Sequence, residues 1–119
     1  MGDVWLRTTS RGLVRADRVT EIGSSRGSLH EEMGYAVKIV AGGKAHTLID
    51  DGELTGTMDE RLDHAKLMQD ALLVAIDEAS SSIPSIIISH EKERERWLLT
   101  PASEIAADMA PLRHLKKHH

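Results

Sequence analysis

From Asp59 to Ala79 the chain places Leu62, Ala65, Met68, Leu72, Ile76 and Ala79 at steps of three and four, the spacing of an amphipathic helix. Asp59 and Glu60 fall in its first turn, where the helix dipole favours negative charge. The second half constrains the fold more sharply. Ala71 through Ile76 is apolar all round, and Leu67, Ala71 and Val74 form a second stripe beside the first. One stripe can cover a sheet, so the other needs a cover of its own, from elsewhere in the chain or from another molecule.

The sheet that such a helix requires is read from the first half of the sequence. Val4 to Thr9 and Leu13 to Ala16 flank the polar turn Ser10-Arg11-Gly12, which predicts a hairpin. The second segment continues into Val19-Thr20-Glu21-Ile22. Ala16 and Val19 cannot share a face under strict alternation, so a bulge or bend is expected near Asp17. Gly23 to Ser28 reads as a loop. The clearest local signal runs from Tyr35 to Ile49, two β-rich segments joined by Gly42-Gly43, the pair that type I′ turns favour. With those glycines as the turn, Ile39 faces His46, Val37 faces Leu48 and Ala36 faces Ile49. The face bearing Tyr35, Val37, Ile39 and Leu48 then turns to the core.

After the main helix, Ser80 to Pro84 is a break. Ser85 to Ser89 follows as a further strand, since the β-branched triplet Ile86-Ile87-Ile88 disfavours helix. His90 to Arg96 is a solvated charge run, Trp97-Leu98-Leu99 can pair back on the Ile strand, and Thr100-Pro101 opens a short helix through Met109. Leu112 to His119 reads as a tail. The expected division is therefore a sheet-plus-helix unit over residues 1–83 and a C-terminal extension over 84–119.

Composition narrows the function classes. A length of 119 residues suits one domain with one core. Trp5, Tyr35 and Trp97 are the sole aromatic residues, so that core is aliphatic. With no cysteine there is no disulfide framework, thiolate nucleophile or cysteine-based metal site, which suits a reducing, cytoplasmic setting. Met1 to Arg7 lacks the pattern of a signal peptide, and the longest apolar run, Ala71 to Ile76, is far short of the roughly 20 residues of a membrane span. Charge is uneven: residues 1–49 carry seven Arg/Lys against five Asp/Glu, and residues 50–85 carry two against nine.

Few motifs carry chemistry. Gly23-Ser24-Ser25-Arg26-Gly27-Ser28 lacks the spacing, the lysine and the following helix of a phosphate loop. His30-Glu31-Glu32 and His90-Glu91 have Gly34 and Arg94 where a helical zinc site would need a second histidine. His64, one turn after Glu60, is accounted for by a solvent-facing ion pair. His114 and His118 have chelating spacing only if the tail is helical. His46, near Asp50 and Asp51, is the one candidate base or ligand, and no Gly-x-Ser-x-Gly elbow is present. No catalytic residue, cofactor site or metal site is assigned. Arg7, Arg11, Arg15, Arg18 and Arg26 concentrate on the first hairpin and its extension and offer guanidinium forks to phosphates. The competing account pairs them with Asp17, Glu21 and the acidic helix, and the net charge of −4 favours it.

The stretches Val4-Trp5-Leu6-Arg7, Leu13 to Val19 and Lys38 to Gly43, followed by one amphipathic helix, resemble small bacterial and phage-borne domains made of a sheet and a single helix. The resemblance covers residues 3–80 and implies a fold without an activity. The expected architecture is α+β: a curved antiparallel sheet of four strands within residues 3–51, packed by one long helix, with the C-terminal strand and short helix added. The expected function is a non-catalytic protein-interaction or regulatory module that self-associates as a homodimer. Leu67, Ala71, Val74, Ile86, Ile87 and Ile88 are its candidate contacts, should the Ile strand not fold back within the chain. The alternatives are a nucleic-acid-associated factor using Arg7, Arg11, Arg15 and Arg18, and a small enzyme around His46.

Overall fold

The computed structural model describes residues 2–26, 35–50, 54 and 56–108, with the backbone alone at 25, 26 and 106–108. Gly27 and Ser28, the His30-Glu31-Glu32 cluster, Asp51-Gly52-Glu53 and the tail from Met109, with His114 and His118, lie outside the described residues.

The elements run β1 (Val4–Arg7), β2 (Leu13–Arg15), a 3-10 turn (Ala16–Arg18), β3 (Val19–Arg26), β4 (Tyr35–Ala41), β5 (Lys44–Ile49), α1 (Met58–Ser80), β6 (Ile86–Glu91), β7 (Arg96–Pro101) and α2 (Ala102–Asp108). The chain is α+β, but the strands form two sheets: a four-stranded one in the order β2-β1-β6-β7 and a three-stranded one in the order β3-β4-β5. The expected single antiparallel sheet within residues 3–51 is thus corrected. The bend anticipated near Asp17 is a full 3-10 turn, and it sends β3 out of the sheet that β2 belongs to. The edge of β1 that this leaves open is taken by β6 in parallel, with Val4 opposite Ile86 and Leu6 opposite Ile88. The four-stranded sheet is therefore mixed.

Why β6 sits inside that sheet follows from its sequence. Ile86, Ile87 and Ile88 alternate between the two faces, and all three are buried. A strand apolar on both faces belongs in a sheet interior, with a neighbour on either side. Here β1 and β7 supply those neighbours, and the segment after Pro84 builds half of the four-stranded sheet.

The Gly42-Gly43 hairpin forms with both glycines at positive φ, 60° and 75°, the requirement of a type I′ turn. Ile39 faces His46 as expected, but Val37 faces Ile49 and not Leu48. A bulge at Leu48 causes the shift, and it allows Leu48 and Ile49, consecutive and both apolar, to be buried together. Gly23 to Arg26, read above as loop, continues β3 and pairs with Lys38 back to Tyr35. β-Pairing against a strong partner strand overrides the weak propensity of Gly-Ser-Ser.

Helix α1 spans 23 residues, close to the predicted range. Thr57 caps it, its side chain accepting a hydrogen bond from the Glu60 amide at 3.2 Å, and Thr57-Met58-Asp59-Glu60 has the form of a capping box. Ala65, Met68, Leu72, Ala75 and Ala79 are buried against both sheets. The core they share holds Leu6, Val37, Ile39, Ile49 and Ile88, aliphatic throughout, with Trp97 at its border. The Trp97 indole N–H donates to the Met68 carbonyl at 2.8 Å, tying β7 to the middle of α1. Among the described residues no helix is long and apolar enough to cross a membrane.

Because β6 supplies the partner of β1, a chain ended at Ile83 is expected to lose the cooperative thermal transition that the full chain shows by circular dichroism. A sharp transition in that fragment would mean that the sheet stands without β6. In the full chain, Ile88→Ala is expected to cost about 2–5 kcal/mol in denaturant unfolding.

Candidate functional site

The first hairpin holds most of the candidate arginines. Arg15 lies opposite Trp5 across the β1–β2 ladder. Its Nη2 contacts Asp3 Oδ1 and Asp17 Oδ2, each at 2.9 Å, and its guanidinium lies 5.8 Å from the centroid of the Trp5 ring. One positive charge thus meets two carboxylates and an aromatic face, so it serves the fold. Arg7 reaches the Arg11 carbonyl at 3.5 Å, and Arg11 occupies the hairpin turn with φ at 66°. Arg18 is exposed in the 3-10 turn, at the opposite end of β2 from Arg11. The side chain of Arg26 lies outside the described residues. Arg7 and Arg15 share the outward face of the β1–β2 ladder, opposite Leu13 and Trp5, with Arg11 and Arg18 at its two ends.

His46 is half-buried on β5, opposite Ile39, and Asp50 is exposed just beyond the strand. His64 is half-buried on α1, and His90 meets Trp97 edge to face with centroids 5.8 Å apart. Among the described residues no group of three His, Asp or Glu side chains is arranged to hold a metal ion.

The surface that stands out is apolar. Of the second helical stripe, Leu67 is 65% and Val74 57% exposed, with Ala71 half-buried between them. Beside them run Trp97 and Leu99 of β7, and the two elements enclose an open groove of about 340 Å³ with Met68 and Ala75 at its floor. Glu78, Glu95 and Arg96 stand on its rim. The sequence places Leu67, Ala71 and Val74 on this surface and the structure keeps them there. It does not bring Ile86, Ile87 and Ile88 to it. They fold back within the chain, covered by β1, β7 and the core, so this structure does not offer them as contacts with a second molecule.

The groove borders an open sheet edge. Ala102 N–H donates to the Ser85 carbonyl at 2.8 Å, and Ile86 N–H donates to the Asp3 carbonyl at 2.9 Å, on the β1 side. Antiparallel pairs exchange hydrogen bonds at every second position. With Ser85 and Ala102 as one bonded pair, Ile87–Thr100, Ser89–Leu98 and Glu91–Arg96 are the others. The backbone groups of Trp97, Leu99 and Pro101 therefore point away from β6. Among the described residues no strand pairs with that side of β7. Pro101 has no N–H, so Trp97 and Leu99 carry the outward donors. Sequence patterning finds the Trp97-Leu98-Leu99 strand. It does not find that this strand ends the sheet, because strand order depends on which segment β1 pairs with.

Arg15→Ala is expected to lower stability by about 0.5–1 kcal/mol, since its partners are partly exposed, while Arg18→Ala leaves it unchanged within error. Urea unfolding of the two variants beside the parent checks this, and equal losses would mean that Arg15 has no special structural part. No protein family model matches the sequence, and no curated protein and no solved structure matches it.

Proposed function

We propose that this chain is a non-catalytic protein-interaction module, regulatory in use, whose working surface is the groove between α1 and β7. The observation that carries the reading is the pair of exposed side chains Leu67 and Val74 beside a strand edge with which no other described strand pairs. Either feature alone is common on protein surfaces. Together they offer an apolar seat and a row of backbone donors and acceptors, the two elements by which a sheet edge accepts a protein partner.

The acidic face of α1 supports a protein partner over a nucleic acid. Asp63, Asp70, Asp77 and Glu78 are exposed along the helix beside the groove, and phosphates would be repelled there. Of the arginines of the first hairpin, Arg15 is held by Asp3 and Asp17. The lack of cysteine throughout the chain fits work in a reducing compartment such as the cytoplasm.

A photo-crosslinking residue placed at Val74, in living cells, tests the reading. Protein adducts are expected from Val74 and not from Lys44, which is exposed in the remote Gly42-Gly43 hairpin. Adducts to nucleic acid, or equal yields at both positions, would overturn it.

A further inference from the structure

The groove lies beside a strand edge whose outward backbone donors can pair with a second copy of the same edge. We propose that its occupant is a second molecule of this chain, docked by antiparallel pairing of β7 with β7 about a twofold axis through Leu98. This rests on the groove being an interaction surface and names its partner.

The register follows from the outward backbone groups. Pairing Trp97 with Leu99 of the second copy, and Leu99 with its Trp97, uses the two outward N–H donors of each copy and asks nothing of Pro101. It forms four interchain hydrogen bonds. Leu98 then faces Leu98 across the axis, and Arg96 faces Thr100. No like charges are placed opposite one another, which a twofold pairing of a charged edge strand usually forces. The result is a continuous eight-stranded sheet with both helices on one face. The α1 stripes flank the axis, and each Leu67–Val74 row finds the cover that its pattern demands.

Five residues separate Ser80 from Ile86, so β6 returns against α1 and β7 runs with it. Trp97 is level with Met68 through the indole hydrogen bond. The four steps to Pro101 cover about 13 Å, equal to about nine residues of helix. Pro101 is therefore level with Asp77 and Glu78. The last turn of α1 has no basic residue, and its carboxylates sit at the negative end of the helix dipole. In the twofold register the β6–β7 hairpin tip of the second copy arrives beside that turn. Its segment Glu91 to Arg96 alternates three glutamates with Lys92, Arg94 and Arg96, so it adds no net charge beside that helix end.

Sedimentation velocity across a concentration series, with amide hydrogen exchange on the same samples, tests the proposal on the full chain. The parent is expected to sediment at twice its 13.1 kDa chain mass, with the Trp97 and Leu99 amides more protected when concentrated than when dilute. Val74→Glu, at a site too exposed to disturb the core, and Leu98→Lys, at the axis, are each expected to weaken association by about tenfold or more. A dimer whose Trp97 and Leu99 amides exchange as fast as those of the monomer would overturn the strand pairing. A monomer at every concentration would overturn the second copy as occupant. In that case adducts between Val74 and a different protein leave the groove as an interaction surface, whereas no protein adduct removes that reading as well.

Discussion

Three consecutive isoleucines must be covered on both faces, and most of this fold is arranged around that requirement. Residues 86–88 cannot lie at a sheet edge without exposing apolar surface, so β6 needs a strand on each side. β1 gives one side in parallel pairing and β7 the other in a hairpin. The first strand of the chain is thereby committed to a segment more than 80 residues later, and the two hairpins of the first half cannot join into one sheet. The 3-10 turn at Ala16–Arg18 is the local device that allows the separation. It turns β3 away to nucleate the second sheet, and α1 lies across both.

Much of this was legible residue by residue where the cause is local. The periodicity from Leu62 to Ala79 gives α1 within a residue or two, because an apolar stripe at helical spacing has few other uses. Gly42-Gly43 gives the β4–β5 hairpin because that turn needs positive φ at both central residues. The capping sequence Thr57 to Glu60 was equally available, and it sharpens the helix start. What could not be read is what depends on distant segments. The Leu48 bulge exists because two adjacent residues are both claimed by the core. The strand order exists because β1 pairs with β6, and no local pattern announces a partner so far along the chain.

The candidate surface divides in the same way. Leu67, Ala71 and Val74 are recognisable from helical spacing as a stripe without a partner, and they remain exposed in the folded chain. The other half of the groove arises from topology: Trp97 and Leu99 line it because β7 is last in its sheet. The arginines show the limit of counting charges along a sequence. Their clustering in the first 26 residues suggests a basic face, whereas the fold spends Arg15 on Asp3, Asp17 and the Trp5 ring and sets Arg11 and Arg18 at opposite ends of β2.

The treatment of the sheet edges gives the groove its meaning. Exposed strand edges invite unwanted pairing, and proteins blunt them by shortening, by covering, or with proline and charge. β2 is only three residues long. The β5 edge is met by the first hairpin, where Thr9 N–H donates to the Thr47 carbonyl at 2.9 Å. β7 has charge at one end, in Arg96, and a proline at the other, in Pro101, so its ends are guarded. Between them Trp97 and Leu99 keep two outward donors, and the exposed stripe of α1 runs directly alongside. A fold that guards the ends of an edge and leaves its middle open beside apolar surface restricts what can add there. The opening suits a short strand with apolar side chains on the helix side, and β7 itself has that form.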